Sequence, residues 1–331
     1  MIKPELNGNI FTEAAERVKP SLVGGKLEYA LLGVRQQQQE IVQCLNLNNE
    51  NSAVLRNKVV LLASISKAIT GTAVARLVDQ GLISWTDPLC NYLEDMRNGS
   101  DDERITIGDI FLHSTGYADI DQLALNDRPP YEAYRLILQH GPTIKPRTAF
   151  LYSTTSYWFV NALVHKLLGF ESMEEFLQEW IFTPCNMNHT TFHPDPEKML
   201  PCRYYSGKNL ERFMQSEVSG SGLWSNIDDL LKFGQAVITP GKLMNEETLS
   251  NMTEAYPLPK YGEPGFSCRT LGWAKEINFK NQPARGFFHG GYTGGVLWCD
   301  PEYDFVAVFL SNRWWGDNLD AFNVISTFYG A

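Results

Sequence analysis

Strand-type patterning occurs at both ends of this chain and helical patterning lies between, and that layout limits the folds open to it. Near the amino end, the apolar stretch Leu27 to Val34 and the alternating stretch Ile41 to Leu45 flank the polar run Gln36 to Gln39. Such a pattern makes two strands joined by a turn. Val59 to Leu62 is a short apolar run rich in β-branched residues and reads as a third, more buried strand. Towards the carboxyl end, Arg285 to His289, Gly295 to Cys299 and Phe305 to Leu310 alternate or run apolar, separated by glycines and by Asp300-Pro301. From Ser66 the period is helical: Ala68, Ile69, Thr72, Ala73, Ala75, Leu77 and Val78 recur on one spacing and stop at Gly81. Tyr157 to Leu168, Ser172 to Ile181 and Ile227 to Val237 repeat it, the last with Asp228 and Asp229 in the first turn, where the helix dipole favours acids. An amphipathic stretch, Leu319 to Phe328, closes the chain. The simplest architecture is α+β: one antiparallel sheet built from both chain ends, terminal helices on it, and a mainly helical region inserted between. The expected division is 1–75 with 216–331 for the sheet domain and 76–215 for the insertion.

At 331 residues the chain is long enough for about two domains, or one large domain with an insertion. With 44% hydrophobic and 20% charged residues it has the composition of a chain with a real core. The formal charge is −10, and there is no run of Lys or Arg. Such a surface repels phosphate backbones, which argues against a nucleic-acid partner. No apolar run approaches the ~18 residues of a membrane span. The opening MIKPELNGNIFTEAAERV has no apolar core of a secretory signal. The six cysteines lack CxxC spacing and read as free thiols rather than a disulfide framework. Both features point to the cytoplasm.

The chemistry centres on Ser64-Ile65-Ser66-Lys67. Ser64 follows a buried strand and opens a helix, where free N–H groups and the dipole stabilise negative charge. Lys67, three residues on, projects from the same face. A serine hydroxyl becomes a nucleophile when a neighbouring base takes its proton, and a lysine is that base only if desolvation or adjacent charge lowers its pKa. With 19 serines and 14 lysines, a Ser-x-x-Lys spacing arises about once by chance. Alone it marks no more than a helix start with a solvated lysine.

Two further segments give it meaning. Tyr152-Ser153-Thr154 precedes an apolar helix, and His289-Gly290-Gly291 ends an apolar strand ahead of Tyr292-Thr293-Gly294-Gly295. This order of motifs resembles the penicillin-recognising serine hydrolases, which include class C β-lactamases, D-alanyl-D-alanine carboxypeptidases, D-aminopeptidases, and esterases and acyltransferases of the same fold. The resemblance runs from about residue 25 to 328. SISKAITGTAVARLVDQGLISWTDPLCNYL, IGDIFLHSTGYAD and SGSGLWSNIDDLLKF are similar to further segments of the family. It implies a β-lactamase/transpeptidase-like fold with no cofactor and no metal.

The resemblance also implies roles. Ser64 is the acylated nucleophile, and Lys67 and Tyr152 share the proton work as a coupled pair. A phenol of pKa ≈ 10 is a base near neutrality only beside cations, of which Lys67 is the obvious one. The backbone N–H groups of Ser64 and Tyr292 form an oxyanion hole, the latter expected from a strand edge with an unpaired N–H. Thr154, His289, Gly290 and Gly291 line the substrate site. Three of these depart from the family pattern: Thr154 stands where Asn is usual, His289 where Lys is frequent, and Gly290 where Thr or Ser is frequent. The changes remove an amide and weaken carboxylate recognition, favouring esters over β-lactams.

Other candidates have plainer readings. Cys185, His189, His193 and Cys202 contain zinc-like spacing, but IFTPCNMNHTTFHPDP resembles a family turn that binds no metal. His113 reads as a structural hydrogen-bonding group, and Ser221, between Gly220 and Gly222, as a cleft-lining residue. No Gly-x-Ser-x-Gly elbow occurs. Trp224, Trp298, Trp314 and Trp315 either pack in the core or wall an acyl pocket. The expected function is a serine hydrolase acting through an acyl-enzyme on Ser64, an esterase or acyltransferase on a small-to-medium acyl ester. The alternative is D-stereospecific peptidase or β-lactam chemistry, so the partner is a small-molecule ester or peptide. A non-catalytic scaffold of the same fold would be expected to have lost one of Ser64, Lys67 and Tyr152, and none is lost.

Overall fold

Along Phe305–Ser311, Phe305, Ala307 and Phe309 enter one hydrophobic core while Val306, Val308 and Leu310 enter another. A period of two on a strand covered on both faces requires this. The computed structural model describes residues 4–46, 52–97, 104–121, 125, 128–202, 207–214, 216–257, 268–275, 286–312 and 320–330. Its strands are β1 Tyr29–Gln36, β2 Gln39–Asn46, β3 Val60–Leu61, β4 Trp224–Ser225, β5 Tyr256–Pro257, β6 Cys268–Arg269, β7 Ala274–Lys275, β8 Phe287–Gly290, β9 Val296–Asp300 and β10 Phe305–Ser311. Its helices are α1 Gly8–Val23, α2 Ser52–Arg56, α3 Ile65–Asp79, α4 Ile107–Phe111, α5 Pro130–His140, α6 Trp158–Leu168, α7 Met173–Leu177, α8 Gly207–Met214, α9 Ile227–Ile238, α10 Glu246–Thr253 and α11 Asp320–Thr327.

Eight strands form one antiparallel sheet in the order β2-β1-β10-β9-β8-β7-β6-β5. The two chain ends meet where β1 pairs with β10, from Ala30↔Ser311 to Gln36↔Phe305. The β1–β2 hairpin closes at Gln36↔Gln39, within the expected polar run. Residues of α1 and α11 share one core with Ala30, Leu32 and Val34 of β1, so the terminal helices cover that face as expected. The other face carries α3 and α9 and runs into the larger core, which holds most of the remaining helices. At the start of α9, Asn226 caps the Asp229 N–H at 2.9 Å, and Asp228 and Asp229 occupy the first turn. Among the described residues no helix is long and apolar enough to cross a membrane.

Helix α3 runs through the larger core. Every residue from Ile65 to Ala75 is buried. It passes so close to the Leu271–Gly272 turn that a Cβ on Gly71 would lie 2.9 Å from the Gly272 Cα.

Three expectations need correction, and three strands have no counterpart among them. The Val59–Leu62 run does not join the large sheet. Its central residues pair with Trp224 and Ser225 in a separate two-stranded ladder, and Leu62 N–H bonds the Leu223 carbonyl at 2.8 Å. Strands β5, β6 and β7 are two residues each, too short to show a period in the sequence. The helix expected over Ser172 to Ile181 is regular only to Leu177 and widens into a π turn over Gln178–Phe182. Pro184 has no N–H for the carbonyl four residues back, and that carbonyl, of Trp180, accepts from the Arg76 guanidinium instead. Finally, β8 is an interior strand of the sheet, not an edge.

Trp224 and Trp298 are buried core residues, the Trp298 Nε1–H donating to Tyr329 Oη at 2.9 Å. Arg285, Trp314 and Trp315 lie outside the described residues.

Candidate active site

Ser64 sits where the β3 segment turns into α3. The preceding residue, Ala63, has φ 47°, a left-handed conformation at a residue with a Cβ. Such a conformation costs about 1–3 kcal/mol and persists where the surroundings over-determine it. The first turn is tightened by i→i+3 bonds from Ile65 N–H to Leu62, Ser66 N–H to Ala63 and Lys67 N–H to Ser64. Ser66 turns inward and accepts the Leu223 N–H at 3.2 Å, which ties the nucleophile turn to the chain near β4. Ser64 is left partly exposed.

Lys67 is fully buried one turn along. Its ammonium donates to the Gly220 carbonyl at 2.7 Å, to Thr154 Oγ1 at 3.0 Å and to Ser64 Oγ at 3.4 Å. Thr70, on the same helix, donates to the Ser219 carbonyl at 2.7 Å, so α3 and the 219–220 segment are clamped at two points. Tyr152 comes from the loop before α6, and its phenol donates to Ser64 Oγ at 2.8 Å. The loop is held by Asp119, whose Oδ1 accepts from Thr154 N–H at 2.6 Å, Thr155 N–H at 2.8 Å and Ser153 Oγ at 3.2 Å. His113 secures it from the other side. Its Nδ1 accepts the Ser153 N–H at 3.1 Å, and its ring stacks on Tyr152 with centroids 4.3 Å apart. The hydroxyl, amine and phenol thus meet at one point, with Thr154 beside the amine.

The third motif approaches from β8. His289 is buried, and its Nδ1 lies 2.8 Å from the Gly290 carbonyl. A carbonyl only accepts, so Nδ1 carries the proton, which in the neutral ring leaves Nε2 as an acceptor. Burial drives the imidazole pKa well below its usual value of 6.5, helped by the positive charges of Arg269 and Lys67. His289 is therefore a neutral group near pH 7 and not a cation for a substrate carboxylate. His113 is pushed down by burial in the same way.

Beyond β8 the chain folds against the nucleophile segment. Thr293 Oγ1 donates to the Leu61 carbonyl at 2.7 Å, and a Cβ on Gly291 would fall 2.3 Å from the Leu62 carbonyl oxygen. Only glycine allows that approach. The turn is closed by Gly291 N–H to the Gly295 carbonyl at 2.7 Å. Ser64 and Tyr292 therefore lie on segments strapped together two and three residues before Ser64 and one residue to either side of Tyr292. The strap does not depend on an edge strand: β7 meets β8 through Ala274 and Phe288 alone among the described residues, and Tyr292 lies past the end of the ladder.

Two groups at the site were not singled out by the sequence. Asp119 closes the family-like segment IGDIFLHSTGYAD, but nothing in its spacing gave it a role. Arg269 is buried on the two-residue β6, its guanidinium carbon 5.3 Å from the Tyr152 ring centroid and 5.5 Å from that of Phe150. The carbonyl of Gly220, next to the expected Ser221, accepts from Lys67 at 2.7 Å.

The zinc-like residues have other partners. Cys185 is buried, with its thiol pushed up to about 12 mainly by burial. His193 Nε2 pairs with Glu217 at 2.9 Å, and His189 N–H donates to Asp229 at 2.6 Å. Among the described residues no three such ligands cluster.

A serine oxygen touched by a phenol and an amine suits transfer of an acyl group. The chain is 22% identical over 300 residues to the N-acetylmuramyl-L-alanine amidase of Bacillus subtilis (strain 168), covering 76% of this chain and 67% of that protein. Its fold superposes on a penicillin-binding protein homologue from Caulobacter crescentus with a TM-score of 0.79 at 15% identity, covering 98% of both chains. A D-stereospecific amidohydrolase from Streptomyces superposes with a TM-score of 0.77 at 18% identity, covering 98% of this chain and 100% of that one. The sequence profile of the family described as Beta-lactamase matches residues 28–324. That match covers most of the chain, which therefore belongs to the beta-lactamase family of serine hydrolases.

Proposed function

We propose that Ser64 is the nucleophile of an esterase or acyltransferase that works through an acyl-enzyme. The observation that carries this reading is the convergence of Tyr152 Oη at 2.8 Å and Lys67 Nζ at 3.4 Å on Ser64 Oγ. As Ser64 attacks, its proton passes to the Tyr152–Lys67 pair and a bond forms from Oγ to the acyl carbon. The carbonyl oxygen becomes an oxyanion, for which the N–H groups of Ser64 and Tyr292 are the proposed donors. Collapse breaks the bond to the leaving alcohol, which takes the proton. Water or a second alcohol then repeats the sequence in reverse and frees Ser64.

Ester substrates are favoured by what surrounds the triad. Thr154 presents a hydroxyl engaged with Lys67, not a side-chain amide, and His289 is neutral. A substrate amide and a free carboxylate therefore lose the partners that the usual Asn and Lys would offer. Gly290 and Gly291 add no side chain to the site.

The second reading, D-stereospecific peptide or β-lactam chemistry, draws on the names of the relatives, an amidase and a D-stereospecific amidohydrolase among them. Incubation with short p-nitrophenyl esters, a thioester and a β-lactam, followed by intact-mass measurement, separates the two. Turnover of the ester that is lost in S64A supports the first; a stable penicilloyl adduct with no ester turnover supports the second. Equal nitrophenol release by wild type and S64A removes both.

A further inference from the structure

Around the Tyr152 ring stand His113, stacked at 4.3 Å, Lys67 Nζ at 4.9 Å and the Arg269 guanidinium at 5.3 Å. Lys67 and Arg269 are the basic groups among them. His113 is neutral near pH 7, as is His289 from β8, both because burial disfavours their charged forms. For each histidine Arg269 is the largest charge influence, ahead of Lys67. Among the described residues, further titratable groups near the ring are Tyr157, whose phenol burial pushes well above 10, and Asp119, which holds the backbone on the far side of the loop. Arg269 is only 4% exposed and is fixed by pairing of β6 with Tyr256 on one side and Ala274 on the other. A guanidinium keeps its charge across the whole working range of pH.

The third motif here lacks the lysine frequent in related enzymes, and nothing in β8 replaces its charge. We propose that Arg269 is a positioning residue for the Tyr152 base: its guanidinium, over the phenol ring at 5.3 Å from the centroid, supplies the second positive charge that the third motif lacks and so favours the phenolate that accepts the Ser64 proton. In the neutral form the phenol donates to Ser64 Oγ; as phenolate it accepts from it. The inference rests on the reading of Ser64 as nucleophile and extends it to a residue on a different strand.

The test uses a fluorophosphonate probe, whose reaction isolates the acylation half. The Ser64 Oγ–P bond forms, the P–F bond breaks, the hydroxyl proton passes to Tyr152 and fluoride departs. Labelling rates are measured from pH 5 to pH 9 for wild type, R269Q and R269K. Loss of a unit charge about 5 Å from the ring moves the acidic limb of R269Q upward by about one to two pH units, with labelling near neutrality slowed about tenfold or more. R269K, which keeps the charge, stays near the wild-type limb. An R269Q limb that coincides with wild type overturns the proposal, as does an R269K limb displaced as far as that of R269Q. Wild type that fails to label at Ser64 overturns the nucleophile reading itself, and this inference with it. If R269Q does not fold, the difference in phenolate absorbance between K67M and the K67M/Y152F double variant decides: phenolate present below the alkaline range of free tyrosine with Lys67 gone supports the role, and phenolate appearing only in that range ends it.

Discussion

The Tyr152 phenol donates to Ser64 Oγ at 2.8 Å across 88 positions of sequence, and the Lys67 ammonium reaches the same oxygen at 3.4 Å. Groups that act as one unit are not additive when removed. We expect Y152F and K67M each to lower kcat/KM for an ester by about a hundredfold to ten-thousandfold. The double variant should be no worse than the poorer single one by more than a few-fold. Steady-state kinetics on all three check this, and a fully multiplicative loss would mean that the two side chains act separately.

Asp119 organises the loop without touching Ser64. Its Oδ1 takes three donors from Ser153, Thr154 and Thr155. An asparagine keeps that acceptor, and an alanine does not. D119N should therefore retain most activity, whereas D119A leaves two backbone N–H groups without their acceptor and lets Tyr152 drift, at about tenfold to a hundredfold in kcat. Similar loss in both variants would assign the effect to charge instead of to loop geometry.

Gly291 tests the strap between β8 and the nucleophile turn. A Cβ there meets the Leu62 carbonyl oxygen at 2.3 Å, and a backbone atom has little room to give. We expect G291A to cost about 1–3 kcal/mol in stability, as overpacking does, and to reduce ester turnover more than a comparably destabilising change elsewhere. Thermal melting and kcat are the measurements. An active G291A of wild-type melting temperature would show that the two segments are not held together.

How far the sequence could be read depends on the range of each interaction. Alternation along Phe305–Leu310 and the change to helical spacing after Ser66 are local, and both survive as β10 and α3. The Ser64–Lys67 spacing and the Tyr152 and His289 motifs are local as well, and family resemblance joined them. The pairing of Val60–Leu61 with Trp224–Ser225 is not local, since any strand could have taken that partner. Arg269 could not be found for the same reason. It lies on a strand too short to carry a pattern, and only the packing of β6 brings it to Tyr152. The interior place of β8 followed from β5–β7, whose pairs of residues show no period.

Acidification gives a prediction of sign. His113 and His289 have folded-state pKa values well below 6.5, so the unfolded chain binds protons that the folded chain refuses. Their effect on stability is absent above pH 6.5 and grows unfavourable as pH falls below it, by up to roughly 1.4 kcal/mol per pH unit for each residue. His193 runs the other way. Its bond to Glu217 raises its pKa, so it contributes stability below 6.5 that is lost as pH rises through its folded value. Being half-exposed, it offsets little. Urea midpoints should therefore fall between pH 7 and pH 5 in wild type, and less steeply in H289Q. An equal slope in H289Q would mean that His289 charges freely in the folded protein.

The most direct measurement is intact-mass analysis of the protein quenched during turnover of a slow p-nitrophenyl ester, with peptide mapping of the adduct. An increment equal to one acyl group, located on Ser64 and absent from S64A, is the predicted result. No adduct despite turnover, or an adduct on another residue, would contradict the assignment of Ser64 as the acylated nucleophile.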